Sequence, residues 1–228
     1  MISVIIPCYN EVNTIELLVE KVLKANNFPL QIIIIDDCSN DGTKEILNEK
    51  IKNKVYKILF NEKNYGKGYC IRKGLEVCTK EIIIIQDADL EYDPKEYPKL
   101  INPILNGYAD VVFGSRFVGS EEKRVLFFWH SIANKILTLF SNMLSDINLT
   151  DMETGYKAFK RELINKITLK ENRFGFEPEF TAKISKLKPR IYEVGVSYFG
   201  RTYKEGKKIG MKDAFNAVKC IIKYNLFD

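Results

Sequence analysis

Over residues 1–115, short runs of β-branched and aliphatic side chains alternate with stretches whose apolar residues recur every three or four positions. The runs Ile2–Ile6, Gln31–Asp36, Val55–Phe60, Glu81–Gln86 and Asp110–Gly114 predict strands. Between them Asn13–Ala25, Gly42–Lys50, Lys67–Cys78 and Pro94–Asn106 carry helical spacing, with Asp41 placed as an N-cap and Pro94 near a first turn. This alternation is the pattern of βαβ units around a mainly parallel, Rossmann-like sheet flanked by helices, an α/β fold. Each predicted strand ends in polar residues, and in open α/β sheets ligands sit beyond the carboxyl ends of the strands.

After Gly119 the pattern changes. Arg124–Ser145 is a long amphipathic stretch with apolar positions at Val125, Phe128, Ile132, Ile136, Leu139 and Met143. It reads either as a core helix or as a helix lying on a membrane surface, because Phe127, Phe128 and Trp129 cluster beside Lys123 and Arg124. Lys212–Leu226 has helical spacing and is expected to pack back on the sheet. With no internal repeat or linker, one domain with a short C-terminal appendage is expected.

Composition narrows the possibilities. Hydrophobic residues at 46% and charged residues at 29% fit a globular protein and exclude intrinsic disorder. A net charge of +5 leaves phosphates or anionic lipid open as partners but does not call for nucleic acid, and none is expected. The five cysteines are scattered and form no C-x-x-C pair, so reduced thiols in a cytoplasmic compartment are expected. MISVIIPCYNE reads as a first strand rather than a signal peptide, and no window of eighteen uninterrupted apolar residues occurs. Membrane contact, if any, is therefore expected to be peripheral, at the inner face.

The strongest chemical signal is QDADLEYDP at 86–94, which sets Asp87, Asp89, Glu91 and Asp93 directly after the apolar run IIII. Carboxylates so crowded repel one another unless cations neutralise them, and hard oxygen ligands suit Mg²⁺ or Mn²⁺, which bridge nucleotide phosphates. A second acidic segment, DDCSNDGT at 36–43, ends the second predicted strand. Its Asp41–Gly42–Thr43 part is ordinary turn chemistry, whereas the Asp36–Asp37 pair could accept hydrogen bonds from a base or a ribose. His130 is the only histidine and is expected to decorate a helix face. The glycines of GKGYCIRKG at 66–74 match no phosphate-binding fingerprint.

These motifs, taken in order with VIIPCYNE at 4–11, NYGKGYCIRKGL at 64–75, GSRF at 114–117, TGYKAF at 154–159 and FGFEPEF at 174–180, resemble the inverting glycosyltransferases of family 2. Those enzymes have the GT-A fold and include the polyprenyl-phosphate sugar synthases. The resemblance implies a nucleotide-sugar-binding half at 1–119 and an acceptor-side half with the C-terminal helix at 120–228. It implies that Pro7, Tyr9, Glu11 and Asp37 line the nucleotide. Asp87, Asp89 and Glu91 would hold Mg²⁺ or Mn²⁺ and the diphosphate, with Ala88 between them. Lys67 and Arg72 would face the nucleotide. Arg116, beside Ser115, and Arg201 would face donor or acceptor phosphates, a role suited to planar guanidinium groups.

Three departures stand out. Cys38 stands where a small residue is usual, Glu91 where mannose synthases carry Gln, and Gly200 precedes Arg201 where a polar residue is common.

The activity expected is transfer of a UDP- or GDP-linked sugar, with inversion, to a polyprenyl phosphate. That acceptor is already anionic at neutral pH, because its second pKa is about 6, and it requires no strong base. With a saccharide hydroxyl as acceptor, Asp151 or Glu177 would be the base. A sugar nucleotidyltransferase and a non-catalytic nucleotide-sugar-binding module are the rival readings.

Overall fold

The computed structural model describes residues 2–25, 29–125, 127–202 and 210–228. Seven strands, β1 (Ile2–Cys8), β2 (Leu30–Asp36), β3 (Lys57–Phe60), β4 (Ile82–Ile85), β5 (Val111–Ser115), β6 (Lys157–Lys160) and β7 (Ile191–Gly195), form one sheet. Their order is β3-β2-β1-β4-β6-β5-β7. β1 pairs in parallel with both β2 and β4, β2 with β3, and β5 with β7, while β6 runs antiparallel between β4 and β5.

The direction of β6 organises the site. Its amino end, not its carboxyl end, reaches the side of the sheet where β1, β2, β4, β5 and β7 finish, since Lys157 lies opposite Ile85. The segment leading into β6, residues 151–156, therefore joins the strand-end loops.

Helices cover both faces, which is why the central strands are continuous isoleucine runs rather than alternating ones. Val4 and Ile6 point into one layer with Leu18 and Val22 of α1 (Ile15–Lys24) and Leu100 and Ile104 of α4 (Tyr97–Leu105). Ile5, Ile33 and Ile35 point into the other, with Ile71 of α3 (Lys67–Val77) and Phe180 and Ile184 of α7 (Phe176–Lys186).

The amino ends of β1 and β2 are tied by side chains. Ser3 Oγ donates to Gln31 Oε1 at 2.6 Å, Gln31 Oε1 also accepts from Thr79 N at 3.0 Å, and Ser3 Oγ accepts from Lys80 N at 3.3 Å. Ser3 and Gln31 are both buried.

The five expected strands and four expected helices are present, with boundaries moved by a few residues. The second helix differs in kind. It is a single α-turn, α2 (Thr43–Ile46), that widens into a π-helical turn at Leu47–Ile51 and tightens into a 3-10 turn at Lys52–Lys54. Its N-cap is Gly42 at φ 101°, while Asp41, one position earlier, accepts from Thr43 N at 3.0 Å. Asp93 caps Lys95 N at 3.0 Å ahead of a 3-10 turn at Pro94–Glu96.

Beyond residue 119, the short α6 (Arg161–Ile164) follows β6. α5 spans Phe128–Ser145, not Arg124–Ser145: Arg124 belongs to an extended link whose guanidinium donates to Gly200 O at 2.9 Å. α8 (Met211–Leu226) packs on α7 and α5 instead of on the sheet. Residues 203–209, which follow Arg201 and Thr202, lie outside the described residues, as does Leu126. No described helix is long and apolar enough to cross a membrane.

Candidate active site

The acidic loop after β4 is built on backbone that few side chains adopt freely. Leu90 has φ 63°, and this turn brings Glu91 N onto Asp89 Oδ1 at 3.1 Å. Gly155, on the approach to β6, touches the loop so closely that a Cβ there would collide with Asp87 Oδ2 and crowd Lys67 Nζ.

Two cations reach these carboxylates from distant parts of the chain. Lys67, at the start of α3, bonds Asp87 Oδ1 at 2.7 Å and Glu177 Oε1 at 3.0 Å. Burial alone would push the Lys67 ammonium down, but Asp87 and Glu177 together hold it above its ordinary range. Arg201 spreads its guanidinium over Asp89 Oδ2 at 2.9 Å, Glu11 Oε1 and Oε2 at 3.2 Å, and Glu91 Oε1 at 3.4 Å. Glu91 also accepts from Arg201 N and from the Tyr198 hydroxyl, both at 2.8 Å.

One guanidinium does not compensate three carboxylates. Burial, then Glu91 and Asp87, push Asp89 up to about 7 in spite of Arg201.

The expected ligands Asp87, Asp89 and Glu91 do not converge as a set. Among the described residues no three His, Cys, Asp or Glu side chains meet in ligating geometry. The reason is visible in the bonds: Asp87 turns toward Lys67, while Asp89 and Glu91 turn toward Arg201. The donor set nevertheless fits a hard dication. Its oxygens are already held by positive charge, and Asp89 is short of it.

Asp37 takes Asn61 Nδ2 at 2.7 Å, Tyr65 N at 3.0 Å and Gly66 N at 2.6 Å, so its oxygens organise the 61–66 loop, in which Gly66 has φ 104°. Cys38, in the place where a small residue is usual, has φ 64°, the left-handed region that glycine enters most easily.

Arg116 and Asp151 form a buried two-point pair, Nε to Oδ2 at 2.6 Å and Nη2 to Oδ1 at 2.7 Å, and Asn134 Nδ2 adds a third bond at 3.1 Å. Burial would raise the Asp151 carboxyl, but Arg116 holds it below its usual value. In this structure both Asp151 oxygens are thus occupied by Arg116 and Asn134.

A single cavity of about 540 Å³ gathers Pro7, Tyr9, Glu11, Asp37, Lys67, Asp87, Ala88, Asp89, Glu91, Arg116, Glu177 and Arg201. Three expected site residues stay out of it. Arg72 is drawn away by Glu171 O and by Asn172 Oδ1. Ser115 is buried against Thr150 Oγ1 and the main chain of residues 117 and 118. Asp151 sits behind Arg116. Conversely, Glu153, Arg173 and Tyr198 line the cavity and were not anticipated. Glu153 stands two residues after Asp151 in DMETGYK, a spacing that offered a signal. The far wall is α5 (His130, Ala133, Asn134, Leu137) and the start of α8 (Asp213, Ala214, Ala217).

α5 is turned contrary to its composition. Its polar residues face inward: Thr138 accepts from Met152 N at 3.2 Å, and Asn142 bonds Leu149 N and O at 3.1 and 2.7 Å. Its apolar stripe faces out, with Phe128 67%, Trp129 76%, Ile136 61%, Leu139 62% and Met143 71% exposed. Phe215, Leu226 and Phe227 of the neighbouring α8 region are exposed as well.

The seven-stranded sheet, with carboxylates gathered beyond its parallel strand ends, has the GT-A fold. Residues 3–168 match Glycosyl transferase family 2, and the chain belongs to that family. It is 27% identical over 215 residues to an undecaprenyl-phosphate 4-deoxy-4-formamido-L-arabinose transferase of Aeromonas hydrophila, covering 91% of this chain and 62% of that protein. It is 29% identical over 217 residues to a dolichol-phosphate mannosyltransferase of Pyrococcus furiosus, covering 91% and 60%. The chain thus spans somewhat over half the length of these relatives. Glucosyl-3-phosphoglycerate synthase of Mycobacterium tuberculosis, solved with Mn²⁺, UDP and glucosyl-3-phosphoglycerate, superposes with a TM-score of 0.75 at 18% identity, over 99% of this chain and 80% of that one. The same enzyme solved with Mg²⁺ and UDP gives 0.75 at 19%, over 99% and 79%. At such identity the likeness concerns the fold.

Proposed function

We propose that the chain transfers a sugar, with inversion, from a UDP- or GDP-linked donor to a polyprenyl phosphate while resting peripherally on a membrane. The observation that carries this reading is the course of the cavity. Its lining extends from the strand-end carboxylates to His130, Ala133 and Leu137 of α5 and Ala214 and Ala217 of α8, two packed helices whose outer surfaces carry exposed apolar side chains. A ligand with an anionic head and a long apolar tail matches both ends, and an apolar face of this size marks an interaction surface. Polyprenyl phosphates in the names of both curated relatives support the acceptor class.

In this reading Pro7, Tyr9 and the loop organised by Asp37 line the nucleotide. Asp87, Asp89 and Glu91 would hold Mg²⁺ or Mn²⁺, which supplies charge neutralisation of the leaving diphosphate. Arg201, released from Glu11 and Asp89, is in reach of phosphate oxygens, and Arg173 offers a further cation at the rim. A phosphate oxygen of the acceptor attacks the anomeric carbon as the bond from that carbon to the diphosphate oxygen breaks. That oxygen is already anionic, so no proton has to be removed. Asp151, paired with Arg116 and held ionised by it, is suited to fixing Arg116 and Asn134. Glu177, bonded to Lys67, is similarly committed, and both facts weigh against a saccharide hydroxyl as acceptor.

The test is transfer from radiolabelled UDP- and GDP-sugars to polyprenyl phosphate in vesicles with Mn²⁺, with the product's anomeric configuration read by NMR. Lipid-linked product of inverted configuration is expected. Transfer to soluble saccharides with none to polyprenyl phosphate would sink the proposal.

A further inference from the structure

Among the described residues, two carboxyl oxygens in the cavity wall are buried and meet no hydrogen-bond donor: Glu153 Oε1 and Glu177 Oε2. Glu177 is only 3% exposed, and its other oxygen is already held by Lys67. Glu153 approaches from the 151–156 segment before β6, while Glu177 stands in the first turn of α7. The two are close enough that Glu177, after burial itself, is the main influence raising the Glu153 carboxyl, to about 8. A buried carboxyl oxygen without a hydrogen-bond partner is unfavourable, so two of them facing one cavity are atoms that a ligand can satisfy.

The position of the pair specifies which part of a ligand. Lys67 bonds Glu177 and Asp87 at once, and Gly155, two residues from Glu153, lies against Asp87 Oδ2. The unpartnered oxygens thus border the carboxylate proposed to face the donor diphosphate, where the group attached to that diphosphate must lie. With Glu153 raised to about 8, the pair offers an acid hydrogen as well as acceptor oxygens, which sugar hydroxyl groups, donors and acceptors at once, match.

We propose that Glu153 and Glu177 form the subsite that hydrogen-bonds the hydroxyl groups of the transferred sugar, making Glu153 a specificity-determining residue for a neutral, hydroxyl-rich donor sugar. The proposal rests on the donor reading given above. A site built to bond hydroxyl groups discriminates more strongly than an apolar one, because its polar atoms are left unpaired when the wrong ligand enters.

Calorimetric titration of the full chain with UDP, GDP, UDP-glucose and GDP-mannose, each with Mn²⁺, tests it. The quantity read is the ratio of the dissociation constants of a nucleotide-sugar and its own nucleoside diphosphate. Glu153→Ala is expected to shift that ratio against the sugar by about tenfold or more, with nucleoside diphosphate binding unchanged, whereas Glu153→Gln, which keeps polar atoms in place, shifts it by less than threefold. Removing an unpartnered buried carboxyl should not lower the melting temperature; should the alanine variant fail to fold, Glu153→Met, similar in length and without polar atoms there, replaces it. A ratio within twofold of wild type in the Ala or Met variant overturns the inference while leaving the donor reading intact. Wild type that binds none of the four ligands overturns both.

Discussion

The cleft floor and the outer face of α5 break the usual partition of polar and apolar groups in opposite directions. On the floor, Asp87, Asp89, Glu91, Glu11 and Glu177 are largely withdrawn from water, and Lys67 and Arg201 supply part of their counter-charge. On α5, large apolar side chains are left in water, and nothing in the described chain covers them. A ligand that takes the oxygens bonded by Arg201 or Lys67 must therefore displace those cations. A ligand for α5 has only to exclude water. The first arrangement favours selectivity and the second favours reversible attachment.

The largest test of this contrast is Asp89→Ala. Transfer should fall at least about a thousandfold, roughly 4 kcal/mol in activation free energy, with no loss in melting temperature because one of the crowded carboxylates is gone. Wild-type turnover, or full activity in excess EDTA, would erase the distinction.

Next comes Arg116→Ala, which leaves Asp151, fully buried, without its partner. Urea denaturation should show a loss of about 3–5 kcal/mol, partly recovered in the Arg116→Ala/Asp151→Ala double variant. Unchanged stability would move Arg116 from the scaffold to the phosphates.

On the other side of the contrast, Phe128→Ser with Trp129→Ser should weaken sedimentation with anionic vesicles at least about tenfold while stability changes by less than about 0.5 kcal/mol. Unfolding of this variant would mean that the stripe is core after all.

The smallest effect is a calibration at the far end of the sheet, where charges are matched. Arg190, against the opposing effect of burial and with help from Lys160, holds the Asp110 carboxyl well below its usual range. Asp110→Asn should cost about 1 kcal/mol at pH 7, given how exposed Arg190 is. A depressed carboxyl stabilises the fold above its unfolded value of 3.8 and loses that effect as pH falls toward its folded value. The difference from wild type should therefore hold from pH 7 to pH 5 and shrink below about pH 4. A constant difference through that range would point to packing rather than charge.

How much of this was legible beforehand depends on the range of the interactions involved. β1, β2, β4 and β5 announced themselves because an apolar run bounded by turn residues is a local signal. β6 and β7 did not: KAFK is bounded by a lysine at each end and IYEVG is interrupted by Glu193, so neither forms an apolar run. The acidic loop was readable from its crowding alone, but its partner Arg201 lies more than a hundred positions away. The family resemblance set that arginine toward phosphates, whereas the structure sets it on the carboxylates. The stripe on α5 was also readable. Its direction was not, because amphipathicity defines two faces without saying which is inside. Asp151, Met152 and Leu149 decide that by bonding Asn134, Thr138 and Asn142.

The bond between Ser3 and Gln31 has a consequence for how the chain finds its fold. β2 and β4, on either side of β1, each contain four consecutive isoleucines, so sliding either strand by one residue exchanges isoleucine for isoleucine across much of both layers. Hydrophobic pattern, which ordinarily selects strand alignment, is nearly silent there. Ser3, Gln31 and the main chain at 79–80 interlock in one alignment. Any slip would bury a hydroxyl and an amide unsatisfied, at about 1–3 kcal/mol each. Two uncharged polar side chains thus separate the native sheet from a family of misaligned traps with almost the same buried surface. They do so at the end of the strands remote from the chemistry.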